Sequence, residues 1–235
     1  MKRKLVLLLF VAVFLVGCSS YQREMVPPKV DLGSSRRIAV LFFDNLTDDY
    51  ALVYEVEQQL VEQLGVFYQV TDPREADWAL ARVGLRPTEA PSAEQARRLG
   101  ELLGVDAVIM GEVSGYFEPI NQTPPYIVKT RETEDGKIEN LYEVTRTTTV
   151  LLSFTGRAIS TKSGNMIYRE RVQSEKVVNS KVSLRWFPQG KEPTAWDVPT
   201  KSRIDVPEAR RAAVHDAVAQ FVEDLLPTYV WRRVQ

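Results

Sequence analysis

The sequence predicts an α/β fold of the α+β kind, a mixed sheet covered by helices, with a long β-hairpin and a C-terminal helix. Three stretches carry that prediction. Residues 38–43, Ile-Ala-Val-Leu-Phe-Phe, form an apolar run bounded by Arg36-Arg37 and Asp44-Asn45. Such a run is too short for a helix and reads as a buried strand. A strand apolar on both faces needs cover on both, which calls for helices packed on a sheet. Residues 105–113, Val-Asp-Ala-Val-Ile-Met-Gly-Glu-Val, form a second buried run and the natural neighbour of the first. Residues 142–160, rich in Thr, Val, Leu and Phe, are joined by Lys162-Ser163-Gly164-Asn165 to a returning strand at 166–178, which makes a hairpin.

The elements between these follow from spacing. Asp44, Asp48 and Asp49 supply capping side chains for a helix over 50–64, in which Leu52, Val53, Val56, Leu60, Val61 and Leu64 fall on one face. Gly65 ends it, and residues 66–70 read as a short strand. Asp72 followed by Pro73 opens a second helix running to about Val83. Ser92 with Gln95 has the form of a capping box, and Ala96, Leu99, Leu102 and Leu103 give that third helix a buried stripe before Gly104 stops it. Residues 119–136 and 183–204 read as polar, proline-containing excursions. The last helix begins near Pro207, has Val214, Val218, Phe221, Val222 and Leu225 on its buried side, and ends at Pro227, leaving residues 228–235 as a tail.

The chain has 235 residues and a formal net charge of −1. Three of its basic residues, Lys2, Arg3 and Lys4, lie in the leader, so the remainder is mildly acidic. That balance gives no support to a nucleic-acid partner, which shows as a basic surplus on one face. Residues 1–17 have the form of a signal peptide: a basic start, then an unbroken apolar stretch from Leu5 to Val16. The stretch is shorter than the roughly 20 apolar residues a bilayer span needs. It closes on Leu15-Val16-Gly17-Cys18, and Cys18 is the only cysteine in the chain. One cysteine excludes an intramolecular disulfide. Residues 18–35, broken by Pro27-Pro28 and Gly33-Ser34-Ser35, read as a flexible tether, leaving 36–235 as one folded domain.

Leu15-Val16-Gly17-Cys18 resembles the lipobox of bacterial lipoproteins, and an ordinary secretory leader with an incidental cysteine is the alternative. The resemblance implies cleavage between Gly17 and Cys18 and acylation of Cys18. Ser19 after the cysteine implies, by the sorting rule of enterobacterial lipoproteins, the outer membrane on its periplasmic face. The order of elements resembles the CsgG-like lipoproteins, the TolB N-terminal domain and the LpoB synthase activators. Residues 37–45, 96–111 with Leu-Gly-Val-Asp-Ala-Val-Ile-Met-Gly, and 151–169 carry that likeness. It implies a membrane-tethered binding or assembly domain without catalysis. Its alternative implication is a subunit of a CsgG-like oligomeric secretion channel, which would donate hairpins to a membrane barrel. A membrane strand alternates apolar and polar residues over about 9–11 positions. Residues 138–150 put Ile138, Tyr142, Val144 and Val150 on one side, but Asn140, Arg146 and Thr148 interrupt it. Residues 183–204 carry Pro188, Pro193 and Pro199 with Lys191, Glu192 and Asp197. Neither makes a lipid-facing band.

No catalytic set emerges. Cys18, in the lipobox-like stretch, is not available as a nucleophile and His215 is the only histidine, so a Cys/His dyad and a histidine-based metal cluster are excluded, which leaves carboxylate-only sites. Asp44, Asp48 and Asp49 lie where α/β folds often bind ligands, and capping is the simpler reading. Gly111-Glu-Val-Ser-Gly115 lacks the spacing of a dinucleotide or phosphate loop. No catalytic residue, metal or cofactor is therefore assigned. Trp186, Phe187 and Trp196 are the candidates for a partner-binding patch, since exposed aromatics in a polar loop act as anchors. Packing over the sheet edge is the alternative. The expected partners are the membrane, through the lipid anchor, and an envelope protein or a second copy of the chain.

Overall fold

The computed structural model describes residues 21–86, 88–198 and 206–233. The leader, Gly17 and Cys18 lie outside the described residues. In chain order the strands are β1 (Tyr21–Val26), β2 (Arg37–Val40), β3 (Asp44–Asn45), β4 (Gln69–Thr71), β5 (Ala107–Phe117), β6 (Ile120–Gln122), β7 (Tyr126–Glu132), β8 (Ile138–Ser160), β9 (Met166–Pro188) and β10 (Thr228–Arg233). The helices are α1 (Tyr50–Gly65), α2 (Pro73–Arg82), α3 (Ala93–Leu103) and α4 (Val206–Val222). Residues 32–223 form one compact unit, and the two chain ends form a second.

The larger unit is an eight-stranded mixed sheet with helices on both faces, in the class the sequence predicts. β2 runs parallel to β4 and to β5, and β5 runs antiparallel to β8. Helices α2 and α3 cover one face, where Ala76, Ala79, Leu80, Ala96 and Leu99 pack on Ala39, Leu41, Val108, Met110 and Ile159. Side chains alternate across a strand. Phe154 and Gly156 therefore turn to the other face, where Phe221 of α4 meets them. The three helix starts between 49 and 93 are capped as predicted: Asp49 and Asp72 accept backbone N–H groups, and Ser92 and Gln95 form a capping box.

Two glycines make room for aromatic rings on this face, Gly156 for that of α4. Gly111 of β5 and Gly156 of β8 are cross-strand partners. A Cβ on Gly156 would stand 2.3 Å from the Phe221 ring, and one on Gly111 2.6 Å from the Phe43 ring. The hollow that this pair leaves is filled by Phe43, Phe154 and Phe221, edge-on to one another at 6.2 and 5.7 Å between ring centres.

The predicted strand over 38–43 is interrupted. Pairing of β2 stops at Val40 and β3 begins at Asp44. In the gap, the Phe43 N–H donates to Oε1 of Glu57 at 2.8 Å, so a buried carboxyl on α1 takes the place of a strand neighbour. Burial pushes the Glu57 carboxyl up, and that hydrogen bond works against the rise. The strand expected at 66–70 is β4, at Gln69–Thr71, because the last turn of α1 is prolonged by Phe67 and Tyr68 donating to the Leu64 carbonyl.

The largest correction concerns the excursions. Residues 119–136 contain β6 and β7, and the hairpin extends beyond 142–160 and 166–178 to Ile138–Ser160 and Met166–Pro188. β9 follows β8 along one edge, while β5, β6 and β7 take the other edge in succession. Every second residue of β8 from Asn140 to Val150 is buried, Arg146 and Thr148 included. Arg146 Nε donates to Oε1 of Gln122 at 2.8 Å and Asn140 Oδ1 accepts from the Thr130 hydroxyl at 2.9 Å, so these two polar residues find partners within the protein. Beyond the main core, Tyr142, Val144, Leu184 and Phe187 form a cluster of their own with Val182 and Val198.

The second unit is an antiparallel ribbon of β1 and β10, in register from Tyr21–Arg233 to Val26–Thr228. The sequence gives a tether over 18–35 and a tail over 228–235; residues 21–26 and 228–233 are instead paired strands. Lys29 also bonds Asp224, and the Val30 N–H donates to the Asp224 carbonyl at 3.0 Å.

Gly156→Ala should lower unfolding free energy by about 1–3 kcal/mol, the usual cost of overpacking. Phe221→Leu in the same chain should recover part of that loss. Urea denaturation of the two variants checks it; an unchanged midpoint for Gly156→Ala would remove the glycine pair from the account.

Candidate protein-docking surface

The sequence-predicted aromatic patch does not assemble. Phe187 is buried and packs edge-on against Tyr142, 5.7 Å between ring centres. Trp186 is half-buried under the Arg131 guanidinium, which lies 4.1 Å from its ring. Trp196 alone is open, at 98 % exposure. It sits on a turn closed by Asp197, which accepts from the Thr194 N–H, the Thr194 hydroxyl and Arg185. Those bonds, the Thr194 N–H first, hold the Asp197 carboxyl below its ordinary value. The sequence hides this outcome because the β8–β9 register shifts between Ser183 and Trp186, and the extra residue brings Phe187 to the same buried side as Leu184.

A more developed surface lies where β5 leaves the core. The β5–β8 register shifts between Val113 and Gly115, and beyond it Gly115 faces Ser153 and Phe117 faces Leu151. A Cβ on Gly115 would stand 2.8 Å from the Ser153 hydroxyl, so a side chain there would require that hydroxyl to turn away. Past this bulge Phe117 turns outward, 66 % exposed.

The loop from β3 to α1 forms the opposite wall. Asn45 Oδ1 accepts from both the N–H and the hydroxyl of Thr47, Asn45 Nδ2 donates to the Asp49 carbonyl, and the Leu46 N–H donates to the Val113 carbonyl. The Thr47 hydroxyl in turn accepts from the Asp49 N–H. A loop closed by its own side chains holds Leu46 and Tyr50 out in water, Tyr50 at 88 % exposure. Between loop and strand runs an open groove of about 520 Å³, lined by residues 46–50 and 114–117. A smaller hollow of about 370 Å³ continues on the far side of Phe117, over Leu151 and Gln173.

One arginine fixes both walls. Arg210 of α4 donates to Oε2 of Glu55 at 2.8 Å and to both carboxylate oxygens of Asp49. Its guanidinium also lies over the Tyr116 ring at 5.2 Å. Burial works against the Arg210 charge, but the bonds to Asp49 and Glu55 outweigh it and hold the guanidinium protonated. The same bonds hold the Asp49 carboxyl below its ordinary range. Burial pushes the Tyr116 phenol well up, and its hydrogen bond to Glu118 adds to the rise. Asp49, Arg210 and Tyr116 thus keep one protonation state through neutral pH, which suits a contact surface and not proton transfer.

His215 is exposed on α4, 3.3 Å from Asp216. Asp49 is an N-cap as predicted, and it is also the anchor of Arg210. Gly111 and Gly115 are accounted for by packing. No group of three or more metal-ligating side chains lies together among the described residues.

Comparison with protein-family models and with curated proteins gives no match. Solved structures that superpose on the chain include lipoprotein GNA1162 from Neisseria meningitidis, at 12 % identity and a TM-score of 0.40, covering 60 % of this chain and 83 % of that one. The LpoB C-terminal domain from Salmonella enterica gives 12 % identity, a TM-score of 0.37 and coverage of 63 % and 84 %. The PelC dodecamer from Paraburkholderia phytofirmans gives 9 %, 0.36, and coverage of 88 % and 98 %.

Arg210→Met should cost about 1–2 kcal/mol at neutral pH, since it strips charged hydrogen bonds from two partly exposed carboxylates. A depressed Asp49 pKa contributes stability that is present above the unfolded value, near 3.8, and is lost as pH falls through the folded one. Wild type should therefore lose stability more steeply in acid than Arg210→Met. Parallel urea midpoints for both chains from neutral to acid pH would count against this clamp.

Proposed function

We propose that the protein is an outer-membrane-anchored periplasmic lipoprotein and a non-catalytic, protein-binding component of envelope assembly. The observation that carries the binding role is the groove beside Phe117. Three large apolar side chains, Leu46, Tyr50 and Phe117, stand in water around it on a backbone held rigid by side-chain hydrogen bonds. Preformed, apolar and rimmed by polar groups, such a surface suits a protein partner. The anchor rests on Leu15-Val16-Gly17-Cys18: a signal peptide over 1–17, cleavage between Gly17 and Cys18, and acyl chains on Cys18. Trp196, held out on its Asp197 turn, is a second contact point for the partner.

The length of β8 and β9 favours a second reading, a CsgG-like channel subunit, because both strands run well past the main core. The outward residues of that arm weigh against lipid. Arg131 pairs with Glu139 at 2.7 Å and Lys181 lies 3.7 Å from Glu143, with Thr145 and Thr147 following on the same side. A lipid-facing band has no place for charges at mid-height.

With benzoylphenylalanine placed at position 117 in living cells, ultraviolet light should give a discrete crosslinked species that is absent when the label is at Glu94. Tyr50→Ser with Phe117→Ser should leave unfolding free energy within about 0.5 kcal/mol while removing the partner. No crosslink from 117, in cells where the protein is folded and exported, would end the docking role. For the anchor, Cys18→Ala should stop incorporation of labelled palmitate, and label retained by that variant counts against acylation. Uniform conductance steps from the reconstituted lipoprotein would favour the channel.

A further inference from the structure

The ribbon of β1 and β10 has two unlike faces. Cross-strand partners share a face, so Tyr21, Arg23, Met25, Tyr229, Trp231 and Arg233 lie on one side. This side holds three aromatic rings, a methionine and two arginines, with no acidic residue. Trp231 is 69 % exposed and Tyr21 60 %. The Arg23 guanidinium lies over the Tyr229 ring, 4.0 Å from its centre, so its stem extends the apolar surface. The other side carries Gln22, Glu24, Val26, Thr228, Val230 and Arg232, and its acid is already neutralised, Arg232 Nε bonding Glu24 at 2.7 Å. All of the ribbon's uncompensated positive charge therefore belongs to the aromatic side.

We infer that this aromatic and cationic face of the ribbon lies on the membrane surface, with its rings at the headgroup level and its arginines on anionic lipid phosphates. Tyrosine and tryptophan, apolar bodies with a polar tip, prefer that depth. Arginine reaches from it to phosphate. Position supports the same occupant, and here the inference rests on the lipoprotein reading: Tyr21 follows Cys18 by three residues, so an acylated Cys18 holds the ribbon within about 10 Å of the bilayer. The face carries no acidic residue to repel lipid phosphate, and its tyrosine hydroxyls and indole N–H supply further donors at the headgroup level. The ribbon then acts as a second membrane contact beside the acylated cysteine.

The test places the purified full-length lipoprotein in vesicles of phosphatidylethanolamine with a minority of phosphatidylglycerol, with bromine on the acyl chains as a short-range quencher of indole emission. Bromolipid should quench wild type, and Trp231→Phe, which keeps Trp78, Trp186 and Trp196, should lose that quenching. Arg23→Gln and Arg233→Gln should each reduce the membrane-docked population on the order of fivefold, and added salt should do the same to wild type. Equal quenching of wild type and Trp231→Phe would overturn the inference. So would Trp231 emission that shifts to the blue with protein concentration in the absence of vesicles, the sign that a second copy covers the face. Mass spectrometry of the N-terminal peptide reads acylation separately. An acylated chain without Trp231-dependent quenching keeps the anchor and ends the ribbon's role; an unacylated chain that shows such quenching on added vesicles does the reverse.

Discussion

The closeness of two backbones, β5 and β8 at Gly111 and Gly156, sets the position of nearly everything else in the larger unit. With hydrogen in place of a side chain on both, α4 can lower Phe221 onto the sheet and against Phe154. Once that ring is seated, Arg210, three helical turns earlier on α4, falls within reach of Asp49, Glu55 and Tyr116. The groove beside Phe117 is thus fixed from a distance: glycines set the helix, the helix sets the arginine, and the arginine sets both walls. Interiors packed at crystal density transmit such displacements with little loss.

The clamp and the buried Glu57 use charge in opposite ways. Asp49 and Glu55 share one guanidinium at the rim, where water still screens them and the net contribution is modest. Glu57 has no cation in contact and is nevertheless buried, because a backbone N–H that the broken strand leaves over needs an acceptor. The first arrangement fixes orientation; the second repairs the fold at the point where β2 gives way to β3.

What the sequence makes legible is local. Helix caps at Asp49, Asp72 and Ser92, the two buried strands and the hairpin turn all show as spacings of a few residues, and all are present. The missed features depend on partners far along the chain. β7 is a run of exposed residues, stable because β8 pairs with it. β1 reads as a polar tether until residues 228–233 are laid beside it. The aromatic cluster at 186–196 mixes three environments because a register shift in β9 buries Phe187 and leaves Trp186 half-covered, while Trp196 falls on a turn. The groove has no motif at all: Leu46, Tyr50 and Phe117 look like ordinary core residues, and only the bulge at Val113 and the closed Asn45 loop turn them outward.

The pairing of β1 with β10 also bears on the order in which the chain folds. It joins residue 21 to residue 233, so it closes a loop of nearly the whole polypeptide, and such contacts form late because the entropy of closure is met only after the rest has condensed. During vectorial synthesis the N-terminal strand emerges first and waits for the last strand to arrive. A chain cut short near its end would retain the eight-stranded sheet but leave β1 unpaired. The ribbon is in this sense a seal that only a finished molecule can close.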